Sequence, residues 1–393
     1  MKKQISGISL FTLWFGAAVS LAEMMTGSLI APLGLRNGIV VILLGHLVGG
    51  LFLSLAGYIG FRERKSTLES SRFSLGVRGS YIISILNIVQ LIGWTAIMLI
   101  QAAKAMQPLS LSIMGYESFK LSVIFLGFLV FFWSLKMEKG SHKLNELSVF
   151  LLMILSLTMA YLSFGPHQVQ VIPSSISLGL AFELSIVMPL SWTPLIADYT
   201  QQARSAKGSF WGSFWGSFLG YFIGSSLMYF IGLSSSLYSG STDPIQMMTS
   251  LNLGVAVLLI VVLSTVTTTF MDVYSAVLST VNIFKNMSRF WLIFIFSGLG
   301  TVLALYFPMN QYEKFLYMIG SVFAPTFTII FMDYFLFKKD RSQKMYNKSG
   351  ISSIGAGVFF YHWIQNLDFI IGATLPTIFA TAILYCLLRF LDE

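Results

Sequence analysis

Glu23 stands inside the apolar run WFGAAVSLAEMMTG at 14–27. It lies deep in a hydrophobic segment, where a charge costs about 2.5–3.5 kcal/mol on insertion scales. An acid so placed can accept a hydrogen bond from a polar ligand or carry a coupling proton. The alternative is a protonated packing residue, or one closer to the outer surface. Glu183 is a similar acid nearer the outer end of a later segment. In NIVQLIGWTAIMLIQ, Gln90 and Trp94 are four apart and share a helix face. The amide of Gln90 can pair with a heterocycle edge as donor and acceptor at once. The indole of Trp94, at mid-depth, can stack a flat aromatic ring or simply fill a core. Trp192 supplies a second indole from a different helix, as a planar ligand with two faces would require.

Hydroxyls form a second constellation. In LSTVTTTFMDVYSAVLSTVN, Ser264, Thr267 and Thr268 stand at i, i+3 and i+4 on one face. Uncharged oxygens suit a weakly held hard cation such as sodium, with further carbonyl ligands around Ala17 and Ser20. Spacing alone equally allows each hydroxyl to bond back to its own helix, the commoner arrangement. Asp272, one turn on, could pair within the bundle. The four histidines, His46, His142, His167 and His362, show no paired ligand spacing. The chain has no glycine–lysine phosphate loop and no nucleophile–base–acid set, so direct use of ATP and enzymatic catalysis are not expected. No cofactor is expected beyond sodium as a candidate coupling ion. The lone Cys386 excludes an internal disulfide and reads as apolar filler.

The elements that must position these groups are membrane helices. The chain is 55% hydrophobic and 10% charged, far below the charged share of about 25% in soluble domains. Twelve spans are read, at 8–32, 38–61, 80–104, 119–137, 146–164, 174–197, 211–236, 253–283, 290–307, 314–337, 353–366 and 369–390. The eleventh, SIGAGVFFYHWIQN, is the weakest. Met1-Lys2-Lys3 leads directly into a full span, so a cleaved signal peptide is not expected. Of the 24 lysines and arginines, all but Arg36, Lys104, Lys120 and Lys314 fall on the side of the N-terminus. The positive-inside rule then puts both termini in the cytoplasm of a multi-pass inner (plasma) membrane protein. The net charge of +8 follows topology and does not call for nucleic acid. Gln101 and Lys104, at the outer end of span three, are expected to be solvated. The repeat GSFWGSFWGSF at 208–218 should pack its small residues on a neighbouring helix and turn its aromatics to lipid.

One run organises the rest. In SIVMPLSWTPLIADYT at 185–200, Pro189 and Pro194 flank Ser191, Trp192 and Thr193 inside a span. Each proline removes a donor and costs about 3 kcal/mol in a helix interior. Non-helical backbone at that depth survives only when buried in protein or lining a cavity. A broken helix at a binding site is therefore expected, with a simple proline kink as the alternative. Span one, with its small residues, Glu23 and Gly27, is also irregular. Spans one and six are five apart, so the second copy enters from the opposite side. The fold expected is an all-α integral membrane protein built as a five-plus-five inverted repeat with helices 1 and 6 discontinuous. The first repeat covers 1–164, the second 165–340, and two additional helices fill 341–393.

At these residues the chain resembles the nucleobase–cation symporter family 1. The matching pieces are Trp14–Ala17, Gly93–Trp94, SWTPLIADYT in span six, TTTFMDVYSA in span eight and MIGSVFAPTFTIIFMDYFLFKK at 318–339. The resemblance spans nearly the whole chain and implies a LeuT-like fold with cation-coupled uptake of small planar heterocycles. It implies a substrate ring held by Trp94, Pro189, Ser191 and Trp192, and sodium held between span one and Ser264, Thr267 and Thr268. Thr269 and Met98 depart from the asparagine and glutamine frequent in relatives, which shifts polar recognition toward Glu23 and Gln90. Within the family, the chain looks most like the hydroxymethylpyrimidine transporters linked to thiamin synthesis. The expected activity is uptake of that pyrimidine with Na+ or H+. Cytosine or another nucleobase is the alternative substrate, and a membrane sensor that binds without transport is the alternative class.

Overall fold

The structure is a computed structural model that describes residues 5–138, 143–163, 170, 172, 174–204, 211–251, 253 and 255–390. The first broken element is α1 (Gly7–Ala18) followed by α2 (Leu21–Leu29). Next come α3 (Gly34–Glu63), α4 (Arg72–Met114), α5 (Phe119–Glu138) and α6 (Lys143–Ser163). The second broken element is α7 (Leu178–Ser191) followed by α8 (Ile196–Thr200). Then follow α9 (Gly216–Ser239), α10 (Val255–Ile283), α11 (Arg289–Tyr306), α12 (Tyr312–Phe331), α13 (Lys348–Asn366) and α14 (Thr374–Arg389).

Among the described residues, eight helical stretches are long and apolar enough to cross a membrane by length and composition. The reading of twelve differs for physical reasons. Leu21–Glu63 runs on as one helical stretch through the short turn at Ala31–Leu33. Gly7–Ala18, Phe150–Ser163 and Thr374–Arg389 are apolar but short. α13 carries the exposed polar His362 and does not qualify. The expected boundary between repeats at 164/165 lies outside the described residues, as do His142 and His167.

The helices pack as two groups. α3 lies against α7 and α9, and α1 and α2 also lie on α9. α4 lies against α10, and α5 against α11. The contacts α3–α9, α4–α10 and α5–α11 each join helices far apart in the sequence. Small residues set the closest crossing. A methyl on Gly232 of α9 would lie 1.9 Å from the carbonyl oxygen of Met24 on α2. The 208–218 repeat behaves the same way where it is described: a Cβ on Gly216 would meet the Gly7 carbonyl at 2.5 Å. Its aromatics depart from expectation, because Phe214 and Phe218 are buried in the bundle instead of facing lipid.

Two buried acids fasten the last helices to the core. Glu183 on α7 accepts from Tyr361 Oη (2.5 Å), from the backbone N–H groups of Ala373 and Thr374 (both 2.8 Å), and from the Thr374 hydroxyl. Asp333 accepts from Ser74 (2.6 Å), Tyr385 (2.8 Å) and Arg341 (2.9 Å). Lys104 pairs with Asp243 at 2.7 Å. Gln101 is fully buried with its amide on Met25 Sδ at 2.8 Å, so it is not solvated as its sequence position suggested. The helix outlasts the expected span, running to Met114, and keeps Gln101 inside.

The α2–α9 crossing gives a stability test. Gly232→Ala overpacks it and is expected to cost about 1–3 kcal/mol. Thermal unfolding in detergent should show a lower Tm. Gly298→Ala, with nothing within 4 Å of its added methyl, should leave Tm unchanged.

Candidate functional site

The two helix breaks face each other, and the sequence explains how each is tolerated. α1 ends at Ala18, and Val19 (ψ 84) and Ser20 (φ −142, ψ 158) leave the helical region. Ser20 restarts the chain as the N-cap of α2, its Oγ accepting the N–H of Glu23 at 3.3 Å. The pattern SLAE at 20–23 is a capping-box sequence inside an apolar run. This is a signal for the break that periodicity alone misses.

The second break is built by Pro194. With no amide there, Thr193 N–H bonds to the Leu190 carbonyl at 3.0 Å, and Leu195 N–H bonds to Trp192 at 3.1 Å. The tightened turn leaves the Ser191 carbonyl without its usual helical donor. Gln90 Nε2 of α4 takes that carbonyl at 2.9 Å and also donates to Asn87 Oδ1 at 2.7 Å. Both amide protons of Gln90 are therefore occupied, and only its carbonyl oxygen is unpartnered. The expected donor-and-acceptor pairing of Gln90 with a heterocycle is not available in this arrangement.

Between the breaks lies a cavity lined by Ala17, Ser20, Glu23, Trp94, Trp192 and Thr268, together with Ala22, Met98, Met188 and Asp272. The free space is about 20 Å³, room for about one water. A six-membered ring enters only after side chains move. Trp94 is held edge-on by Phe315 (5.4 Å) and Tyr312 (6.2 Å). Trp192 is held edge-on by Trp14 (5.9 Å). Tyr312 Oη and Thr26 Oγ1 share a hydrogen bond of 2.7 Å, and a depression of about 240 Å³ is lined in part by Tyr312, Lys104, Asp243 and Glu313.

The structure thus gathers six of the eleven residues singled out in the sequence. Five lie elsewhere. Gln90 and Ser191 bond to each other behind the cavity wall. The Pro189 ring packs on α3, where a Cβ on Gly49 would meet its Cγ at 2.4 Å. Ser264 and Thr267 sit away from the lining. The hydroxyls of Thr267 and Thr268 donate to the Ser264 carbonyl at 3.0 and 2.8 Å, the back-bonded arrangement. An oxygen that donates its hydrogen keeps lone pairs, so Thr268 still offers an acceptor to the cavity.

The two acids of the cavity differ. Glu23 has a partner on each oxygen: Tyr221 donates to Oε1, and Ser225 Oγ shares a 2.7 Å hydrogen bond with Oε2. The carboxyl of Asp272 is buried, lines the cavity and has no hydrogen-bond partner among the described residues. It does not pair within the bundle as its position suggested. It stands one turn beyond Thr268 on the same helix face, and that i, i+4 spacing is the signal that could have placed it in the site.

Comparison with known proteins decides the family. Residues 2–383 match the family model described as permease for cytosine/purines, uracil, thiamine, allantoin. The chain belongs to that permease family. It is a membrane transporter and not an enzyme. Cytosine permease of Escherichia coli (strain K12) is 25% identical over 367 residues, covering 88% of this chain and 83% of that one. Mhp1, a nucleobase-cation-symport-1 family transporter solved in a closed conformation with bromovinylhydantoin bound, superposes with a TM-score of 0.82 at 16% identity. That match covers 96% of this chain and 91% of Mhp1. A Na+-coupled sialic acid symporter matches with a TM-score of 0.63 at 11% identity, over 96% and 93% of the two chains. These likenesses establish the LeuT-like helical fold of this permease.

Two substitutions separate scaffold from site. Gln90→Leu leaves the Ser191 carbonyl without a donor and should cost the permease about 1–3 kcal/mol, seen as a lower Tm. Asp272→Ala breaks no hydrogen bond and should leave Tm equal or higher. A clear Tm drop for Asp272→Ala would show that its carboxyl is a structural anchor.

Proposed function

We propose that this permease is a cation-coupled secondary importer of a small planar pyrimidine, with hydroxymethylpyrimidine as the substrate, working by alternating access. The observation that carries this reading is the cavity at the two helix breaks, where two indoles from different helices and two carboxyls meet. Indole faces grip a flat ring, and a carboxyl accepts from the exocyclic amine of an aminopyrimidine. Trp94 and Trp192 are assigned to the ring, and the acids to its polar edge. Sodium is assigned to the space among Ala17, Ser20 and Thr268, which share the cavity. Ser264 and Thr267 keep the weaker claim, as carbonyl or hydroxyl ligands from the neighbouring turn. Residues 1–164 and 165–340 act as the two repeats and 341–393 as an appendage, in an inner membrane with both termini cytoplasmic.

A second reading has its own support: the curated relatives are named cytosine permeases. Cytosine shares the amine and the flat ring, so the two substrates make the same demands on this cavity. Uptake by vesicles containing purified protein decides between them. Labelled hydroxymethylpyrimidine is expected to accumulate under an imposed ion gradient and to be displaced by excess unlabelled compound better than by cytosine. The opposite ranking would assign cytosine. Binding without accumulation would make the protein a sensor.

Trp94→Ala removes one stacking face. Stacking on an aromatic side chain contributes about 1–3 kcal/mol per base, so substrate affinity should fall about 5- to 150-fold at unchanged membrane abundance. Unaltered affinity would remove Trp94 from the site. Thr268→Ala should raise the sodium concentration for half-maximal uptake. Parent uptake that ignores sodium would discredit that ion position.

A further inference from the structure

The C-terminal helices α13 and α14 bond at one end to α4 and at the other to α7, and α4 and α7 belong to different groups of the bundle. The α4 end is a backbone strap. Gly76 (φ 77, ψ 176) interrupts α4, and a Cβ on it would lie 2.7 Å from the Lys344 carbonyl oxygen. Glycine supplies both the positive φ and the close approach. Residues 341–347 take the peptide groups that the interruption frees. Arg341 N–H bonds to the Phe73 carbonyl at 2.8 Å and Asn347 N–H to the Leu75 carbonyl at 3.0 Å. The Lys344 and Met345 carbonyls accept from Val77 and Arg78, both at 2.9 Å. Asn347 Nδ2 donates to the Ser74 carbonyl and to Tyr385 Oη of α14, both at 3.0 Å.

The α7 end depends on one side chain. Glu183 accepts from the N–H groups of Ala373 and Thr374, so a carboxyl from another helix caps the start of α14 and complements its dipole. Gly372 (φ 71) permits the approach, since a Cβ on it would meet Glu183 Oε2 at 2.5 Å. Tyr361 of α13 and the Thr374 hydroxyl hold Oε1. Beside them Ser177, the N-cap of α7, donates to Asp368. Thr374 and Tyr385 stand about 17 Å apart along α14 at about 1.5 Å per residue. The two attachments are therefore at opposite ends of the pair.

We propose that the C-terminal pair is a strut between the two groups of helices, and that the Glu183 attachment releases when the cavity opens while the strap at Gly76 holds. The inference rests on the transport reading above, in which one group rocks against the other. α4 and α7 then move relative to each other, and a pair bonded to both cannot follow both. The strap is the stronger attachment. Parting it strands four peptide groups of α4 at once and breaks the buried Asp333–Arg341 ion pair of 2.9 Å. Releasing Glu183 from α14 strands one carboxyl and two peptide N–H groups beside the exposed turn at 367–371, from which water can reach them. Glu183 is thus a positioning residue: it holds α7, and with it Trp192 at the end of α7, in the closed arrangement.

Amide hydrogen exchange on the full-length protein in vesicles reads both attachments without a substitution. Turnover with hydroxymethylpyrimidine or cytosine under an ion gradient should speed exchange of the Ala373 and Thr374 amides. The amides of Val77, Arg78 and Asn347 should stay protected. Cross-linking in a Cys386→Ser background gives the second readout. A short, reducible bis-thiol linker between Ser177→Cys and Asp368→Cys should abolish uptake of the labelled pyrimidine, and reduction should restore it. The same linker between Arg78→Cys and Met345→Cys should leave uptake unchanged. The proposal is overturned by unchanged exchange at Ala373 and Thr374, by uptake that survives the Ser177–Asp368 link, or by uptake lost on linking Arg78 to Met345. Unlinked Cys386→Ser protein that accumulates neither pyrimidine would refute the transport reading instead.

Discussion

Peptide groups released in the middle of hydrocarbon must be satisfied by the protein itself, and the rest of this structure follows from that demand. The first break is closed by Ser20, which caps α2 in place of the missing turn. The second is closed from another helix: Gln90 reaches across from α4 to the Ser191 carbonyl. Each solution fixes the position of a neighbour. Ser20 brings Glu23 into the first turn of α2, and Gln90 locks α4, with Trp94 one turn further on, to the end of α7. The cavity is the space these two repairs leave between them.

Small residues and buried acids then hold the frame. The close crossing of α2 and α9 at Gly232 leaves no room for a methyl, so the helix that carries Glu23 and the helix that carries Tyr221 and Ser225 approach within hydrogen-bonding range. The same proximity gives each oxygen of Glu23 one hydrogen-bond partner. Glu183 and Asp333 make equally complete sets of bonds, each to a different part of the C-terminal helices. Asp272 is the contrast: an acid of the same chemistry, buried on α10, with no hydrogen-bond partner among the described residues. Burial of a carboxyl is tolerable when it is paired, which is why the unpaired one is the more informative.

The match to permeases at modest identity and the superposition on Mhp1 with a TM-score of 0.82 fit this division of labour. The breaks, the close crossings and the helix pairing are requirements of a discontinuous fold in lipid. Met98 lines the cavity, whereas Thr269 does not and its hydroxyl bonds back to the Thr265 carbonyl.

Composition and the length of the apolar runs were enough to read an all-helical, many-span membrane protein, because hydrocarbon allows so few backbone arrangements. The chemistry-bearing residue types were also legible, since a carboxyl or amide at mid-depth stands out against an apolar background. What the sequence could not settle was which partner each of them meets. Glu23 and Asp272 look alike along the chain, and only the approach of α9 occupies the first while leaving the second open. Gln90 and Pro189 look like ligand contacts until the packing turns one to a backbone carbonyl and the other to Gly49. Periodicity fixes the face of a helix on which a residue lies, whereas hydrogen-bond partners more than a hundred residues away are decided by how the helices cross.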